Sequence, residues 1–220
     1  MKTFCVIPAW NEEKNIIPVL RQVKEMVDEV VVVDDGSRDR TYQQAQKTGV
    51  TVLRHILNRG QGAALETGNQ YCLRQGADII VHFDADGQFL AEQIPDIISP
   101  IRTGQADIVF GSRFLEQRSD IPWRKKMIIL PMAGLVNKIL LKAELSDPQS
   151  GFRAFSASAA PKVNIEQDGM AHCSEIIHKA FKNDLKIQEV PITVIYTNYG
   201  QSFAGGIKIV KDLLLAKLVD

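Results

Sequence analysis

Two carboxylates spaced one residue apart, Asp84 and Asp86, close an apolar run over residues 79–83 and lead into Gly87 and Gln88. In a parallel α/β sheet the carboxyl ends of the strands are where ligands bind. Two hard oxygen donors at such an end suit Mg²⁺ or Mn²⁺, which completes its shell with water and phosphate oxygens. Alone, the pattern also describes a strand followed by an ordinary acidic turn, so its meaning depends on what else reaches that edge. Pro8, Asn11 and Glu12 follow one apolar run, Asp34 and Asp35 another, and Ser112 and Arg113 a further one. A carboxylate such as Asp34 or Asp35 can accept hydrogen bonds from a base N–H or a ribose hydroxyl, and Arg113 would add a planar cation suited to phosphate. The turn Asn58-Arg59-Gly60-Gln61-Gly62 lacks both the Gly-Lys-Ser/Thr ending of a P-loop and the spacing of a dinucleotide fingerprint. It is expected to serve close strand-to-helix packing, with Arg59 its residue for touching a nucleotide.

The elements that must position these groups alternate. Strands are expected over 4–9, 30–33, 51–55, 78–83 and 107–110, the second nearly pure valine as befits burial on both faces. Helices are expected between them: from an Asn11 cap to about 26, from Asp39 to about 47, over 63–74, and over about 92–102. This order predicts a right-handed, doubly wound, mostly parallel sheet flanked by helices. The second half changes character, with an apolar-rich helix over about 127–142 and a loop over 147–155 leading into a short strand. A helix over 172–182 and a strand-like stretch over 186–196 follow, with Pro191 pointing to an edge position or a bulge. A polar loop over 196–203 and a last amphipathic helix over 206–219 complete the chain.

The 220 residues are enough for one well-cored domain. Its 26 basic and 26 acidic side chains cancel, so no global field points to nucleic acid. Three scattered cysteines, Cys5, Cys72 and Cys173, form neither a disulfide framework nor a zinc spacing. No apolar run approaches 18 residues and no leader pattern is visible, so a cytoplasmic location is expected. Arg124-Lys125-Lys126 and the apolar helix after them would also suit the face of an anionic bilayer, as would the helix over 206–219 with Lys208, Lys211 and Lys217. Packing on the sheet or homo-oligomer formation uses the same apolar faces, and those alternatives stay open.

Taken together, Pro8-Ala9-Trp10-Asn11-Glu12, Val33-Asp34-Asp35-Gly36-Ser37, Asn58-x-Gly60-x-Gly62, Asp84-Ala85-Asp86-Gly87-Gln88, Gly111-Ser112-Arg113 and Ser150-Gly151-Phe152-Arg153 resemble the family 2 glycosyltransferases. Within that family the chain is most similar to the dolichol- and polyprenyl-phosphate mannosyl- and glucosyltransferases, over about residues 1–195. The resemblance implies a GT-A fold, a GDP- or UDP-hexose donor, Mg²⁺ or Mn²⁺, a polyprenyl-phosphate or glycan acceptor, and inversion at the anomeric carbon. It implies a nucleotide-sugar-binding half over about 1–113 and an acceptor-side half over about 114–220. By the same resemblance Pro8, Asn11, Glu12, Asp34, Asp35, Arg59, Asp84, Ala85 and Asp86 would line the nucleotide sugar. Asp84, Asp86 and Gln88 would hold the metal, and Arg113 would face the donor phosphates or the acceptor. The chain departs from the branch in the loop over 196–203, which lacks the usual Arg and Lys; the next basic residue is Lys208.

A phosphate acceptor is already an anion and needs no strong base, whereas a sugar hydroxyl would need one. Glu175 is the candidate base, alongside a plain structural role; His172 and His178 have no discernible partner. A sugar nucleotidyltransferase would share the α/β plan, but opens with a glycine-rich basic loop where this chain has Pro8-Ala9-Trp10-Asn11-Glu12. A non-catalytic nucleotide-sugar-binding protein is the remaining alternative, supported by the altered loop alone.

Overall fold

The computed structural model describes residues 1–115 and 145–195. Seven strands form one sheet: β1 (Thr3–Ala9), β2 (Glu29–Asp34), β3 (Thr51–Arg54), β4 (Ile79–His82), β5 (Ile108–Ser112), β6 (Arg153–Ser156) and β7 (Ile187–Pro191). Their order is β3-β2-β1-β4-β6-β5-β7. All pairings are parallel except those of β6, which runs antiparallel to both β4 and β5. Helices α1 (Ile16–Lys24), α2 (Thr41–Lys47), α3 (Gln61–Arg74), α4 (Ile94–Arg102) and α5 (His172–Lys182) connect and cover the strands.

The valine run is explained by two cores, one on each face of the sheet. Successive side chains of a strand point to opposite faces, so Val30 and Val32 join Cys5 and Ile7 on one side. Val31 and Val33 join Phe4 and Val6 on the other. The first face is covered by Ile16, Val19, Leu20 and Val23 of α1 and by Ile94, Ile97, Ile98 and Ile101 of α4, each set at helical spacing. The second is covered by α3 and α5. At Gly68 of α3 an added Cβ would fall on the Val6 side chain, which fixes how closely that helix lies on β1.

Strand and helix positions follow the sequence pattern, with two corrections. Asn11 does not cap the first helix: its backbone is left-handed (φ 57°), and α1 begins only at Ile16. The reason is that the Asn11 side chain is used elsewhere, accepting a hydrogen bond from the Arg38 N–H at 2.9 Å while its own N–H donates to Ser37 Oγ at 3.0 Å. The strand-like stretch after Lys186 stops at Pro191, on the edge strand as Pro191 implied. The chain then crosses to the motif turn, where Phe89 and Val194 form an isolated bridge and the Ile195 N–H donates to the Gln88 carbonyl. The helices over 127–142 and 206–219, the basic run before the first of them, and the loop over 196–203 lie outside the described residues. Among the described residues no helix is long and apolar enough to cross a membrane.

Pro8 sits in an interior strand at no cost to the ladder. The last β1–β4 pair is Val6 with His82, and the Phe83 N–H donates to the Val6 carbonyl. The missing Pro8 N–H faces the same side, where β4 has already ended.

Beneath the turn that follows β4, Phe83, Phe89 and Phe152 form a buried ring cluster with centroid separations of 5.7, 5.1 and 5.3 Å. Two of these rings flank the Asp84–Gln88 turn in sequence, and the third comes from the residue before β6. Phe152→Ala is expected to destabilise the protein by about 3–5 kcal/mol, the usual loss for a fully buried ring. Denaturant unfolding measures it, and a loss below about 1 kcal/mol would show that the cluster does not anchor the turn.

Candidate functional site

The site is assembled where six parallel strands end and the one antiparallel strand begins. Because β6 runs the other way, its entry segment Ser150-Gly151-Phe152 arrives at the same edge as the carboxyl end of β4. An added Cβ on Gly151 would lie 2.5 Å from Asp84 Oδ2, so the backbone at this glycine passes directly against the carboxylate. The other oxygen, Oδ1, accepts a hydrogen bond from Gln61 Nε2 at 2.9 Å. Between the two acids Ala85 is turned into the core, so any contact it makes to a ligand is through its backbone. Gly87 takes a left-handed conformation (φ 76°) and the Gln88 N–H donates to Asp86 Oδ1 at 3.0 Å, folding the turn back on its own carboxylate.

Like charges crowd here. Burial pushes the Asp84 carboxyl up to about 7, with the Asp86 charge adding and Arg153 opposing. Asp86 is raised by burial against its backbone hydrogen bonds. Glu12 is raised by burial too, with Asn15 opposing and Asp86 and Asp39 adding. A cation beside these three carboxylates would favour their charged forms. Among the described residues no three His, Cys, Asp or Glu side chains close on one point. Carboxylate oxygens that leave coordination positions open suit Mg²⁺ or Mn²⁺ shared with phosphate oxygens.

The strand-end residues of β1 and β2 divide their work. Glu12 accepts from Asn15 Nδ2 at 2.8 Å, and its N–H donates to Thr41 Oγ1 at 2.7 Å. Asp35 is buried, and its oxygens receive the Arg59 N–H (2.9 Å), the Gly60 N–H (2.7 Å) and His55 Nδ1 (2.7 Å). Its main task is therefore to build the glycine turn. Asp34 differs: Arg54 Nε lies 3.0 Å from its Oδ2, within ion-pair range, yet neither buried oxygen receives an aligned donor. Asp34 is thus a fully buried acid beside Arg54 whose oxygens have no aligned donor among the described residues. Arg59 is half exposed and 3.6 Å from Asp168. The expectation of tight packing at Gly60 and Gly62 is met, since an added Cβ on either would collide with the backbone at Gln167–Asp168, and the Gly62 N–H donates to the Asp168 carbonyl at 2.8 Å.

Arg113 is held in a fork by Asp147: Nε donates to Oδ2 at 2.6 Å, Nη2 to Oδ1 at 2.7 Å, and the backbone N–H to Oδ2 at 3.1 Å. Glu175, the candidate base, already has partners. Its carboxylate accepts the Glu166 and Gln167 N–H groups at 2.9–3.1 Å and pairs with Lys179 at 2.8 Å. Those donors belong to the loop that packs on Gly60 and Gly62, an arrangement that fits the orienting role weighed beside the base. His178 is exposed and His172 buried.

Sequence reasoning passed over a buried polar group behind Asp84. Arg153 is fully buried; its Nη2 donates to Cys173 Sγ at 3.2 Å, while Nε and Nη1 have no hydrogen-bond partner among the described residues. His172 Nε2 lies 3.5 Å from the same sulfur, which sits in the first turn of α5. Burial alone would push the Cys173 thiol up, but Arg153 and His172 outweigh it and bring it down to about 6. Arg153 was visible in sequence as an arginine in a run otherwise reading as a buried strand. Asp147 gave only the weaker signal of an acid shortly before a glycine.

Residues 4–163 match the family model described as glycosyl transferase family 2. The chain is 34% identical to the UDP-N-acetylglucosamine–dolichyl-phosphate N-acetylglucosaminyltransferase of Methanococcus voltae, covering 98% of this chain and 96% of that one. It is 32% identical to the undecaprenyl-phosphate mannosyltransferase of Micrococcus luteus, covering 94% and 89%. Among solved structures it superposes on glucosyl-3-phosphoglycerate synthase of Mycobacterium tuberculosis, in complex with Mn²⁺, UDP-glucose and phosphoglyceric acid, with TM-score 0.76. That match is 19% identical and covers 97% of this chain and 77% of that one, a likeness of fold.

Two outcomes are expected. Gly151→Ala should cut turnover about 100-fold by displacing Asp84, with the thermal midpoint little changed because the obstructed atoms are those of one side chain; unaltered turnover would refute the wedge. In a pH titration followed by thiolate absorbance, one thiolate should form near pH 6 in the native chain and none there in Cys173→Ala. The associated stability is complete above the unfolded thiol value of about 8.5. It is lost as pH falls through about 6, so unfolding of Cys173→Ala should depend less on pH across that window.

Proposed function

The chain belongs to glycosyl transferase family 2, and we propose that it moves a hexose from a GDP- or UDP-sugar to a polyprenyl-phosphate acceptor with inversion. The observation that carries this reading is the crowded carboxylate edge formed by Glu12, Asp84 and Asp86 around a turn wedged by Gly151. Asp34, buried with both oxygens lacking an aligned donor, would accept from the N–H edge of the nucleobase. Pro8, Asn11 and Glu12 would form the wall beside the nucleoside, with Asp35 and Arg59 holding the turn next to it.

Asp84 and Asp86, with Gln88 beside them, would hold Mg²⁺ or Mn²⁺, which when bound supplies positive charge against the departing diphosphate. Arg113 would orient phosphate oxygens, its plane already set by Asp147. The acceptor class is supported by the relatives' names and by how Glu175 is engaged. The relatives are named for dolichyl-phosphate and undecaprenyl-phosphate acceptors. Glu175, the base a sugar hydroxyl would call for, is committed to a loop and a lysine, and a phosphate acceptor needs no such base. In this reading residues from about 114 onward form the acceptor side, and the protein works at the cytoplasmic face of a membrane.

The direct test is donor turnover across a panel of UDP- and GDP-sugars, with and without Mn²⁺, and with polyprenyl phosphate as acceptor. One donor should be consumed only with metal and acceptor. Asp86→Ala should lower the rate by about 100-fold or more, corresponding to several kcal/mol of lost charge stabilisation. A folded protein inactive with every donor, or one indifferent to Asp86→Ala, would overturn the reading.

A further inference from the structure

One carboxylate stands behind the site without touching any group assigned to it. Glu189 lies in the middle of the edge strand β7, opposite Phe110 of β5. The parallel ladder needs only its backbone, yet its side chain is heavily used. Both oxygens receive the Ser146 N–H at 2.9 Å, and Oε1 also receives Ser146 Oγ at 2.9 Å and the Asp147 N–H at 3.1 Å. Ser146 Oγ in turn meets Ser112 Oγ at 2.5 Å, on the residue before Arg113.

The next residue in this series is Asp147. It is buried, and its oxygens receive the two side-chain donors and the one backbone donor of Arg113. A bidentate carboxylate fixes the plane of a guanidinium as well as its place. The plane of Arg113 is therefore set by Asp147, and the peptide that carries Asp147 is set by Glu189. Charge-assisted bonds to backbone N–H groups are about twice as strong as neutral ones, so this hold is stiff. A transfer site loses rate steeply when a phosphate-facing group is displaced by a fraction of its own width.

We propose that Glu189 is a positioning residue for sugar transfer, acting on Arg113 through Ser146 and Asp147. The inference rests on the reading above in which Arg113 faces phosphate, and the test separates the two. Transfer to polyprenyl phosphate is measured for the native chain, Glu189→Ala, Glu189→Gln, Arg113→Ala and the double variant Glu189→Ala/Arg113→Ala, each with its thermal midpoint.

Glu189→Ala should lower kcat by about 10- to 100-fold, with the donor KM within about twofold, since what it disturbs is alignment and not donor affinity. Glu189→Gln keeps one acceptor oxygen and should recover the rate to within about tenfold of native, the scale of a hydrogen bond exchanged or lost. In the Arg113→Ala background, Glu189→Ala should cost nothing further, because the group it positions is gone. A full additional loss in that background, or a native rate in Glu189→Ala, overturns the inference. If Glu189→Ala does not fold, Glu189→Gln and its double with Arg113→Ala carry the same cycle. Arg113→Ala with native rate would instead remove the reading of Arg113, and the proposal with it.

Discussion

The arrangement depends on one mechanical constraint: the turn that carries Asp84 and Asp86 is gripped from below and from the side. Below it, the rings of Phe83, Phe89 and Phe152 pack edge to face and tilted. From the side, the Gly151 backbone lies against the Asp84 carboxylate where no other residue leaves room. A glycine and a phenylalanine adjacent in sequence thus do opposite things, one by being absent and the other by filling space. Everything polar at the edge is placed relative to that grip. Gln61 reaches Asp84 from the start of α3, and the start of α3 is seated by the backbone of Gln167–Asp168 against Gly60 and Gly62.

Electrostatics then explains why so much buried polarity is tolerated. The front of the site gathers carboxylates whose protonation is favoured by burial and by one another. Behind it lie a buried guanidinium, a thiol that gives up its proton readily and a histidine, His82, held neutral by burial and by Arg153 and His172. Buried charge is stable only when paired. Arg153 opposes the rise of the Asp84 carboxyl, and it in turn lies 3.2 Å from Cys173 Sγ, whose thiol it pulls down. The two halves of this arrangement come from strands adjacent in space and far apart in sequence, with His82 opposite Arg153 in the ladder.

Much of this was legible in the chain. The valine run of β2, the isoleucine spacing of α4 and the carboxylates at Asp34 and Asp84 report burial and strand ends through local pattern alone. The places where pattern misled are those where a side chain answers to a distant neighbour. Asn11 precedes a helical stretch and has a capping residue's chemistry, but it bonds Arg38 across the edge. Glu175 lies on a helix near polar loops, and its bonds to the N–H groups of Glu166 and Gln167 have no local signature. Asp34 and Asp35 are chemically identical neighbours, separated by strand alternation and by what the glycine turn demands. The inversion of β6 has no local signature, because a four-residue strand reads the same in both directions.

That inversion has a consequence for how the protein is made. In the sheet, β5 touches only β6 and β7, so when a ribosome has released the chain as far as Ser112 the fifth strand has no neighbour to pair with. The four strands before it can assemble in order, but the site they outline stays open on the side where β6 will enter. Closing it joins residues about 70 positions apart in the β4–β6 ladder and about 80 apart in the β5–β7 ladder, and such long loop closures slow folding. A chain cut after β5 would expose the unpaired edge of β4 and the apolar faces of a lone strand, the surfaces through which incomplete chains aggregate.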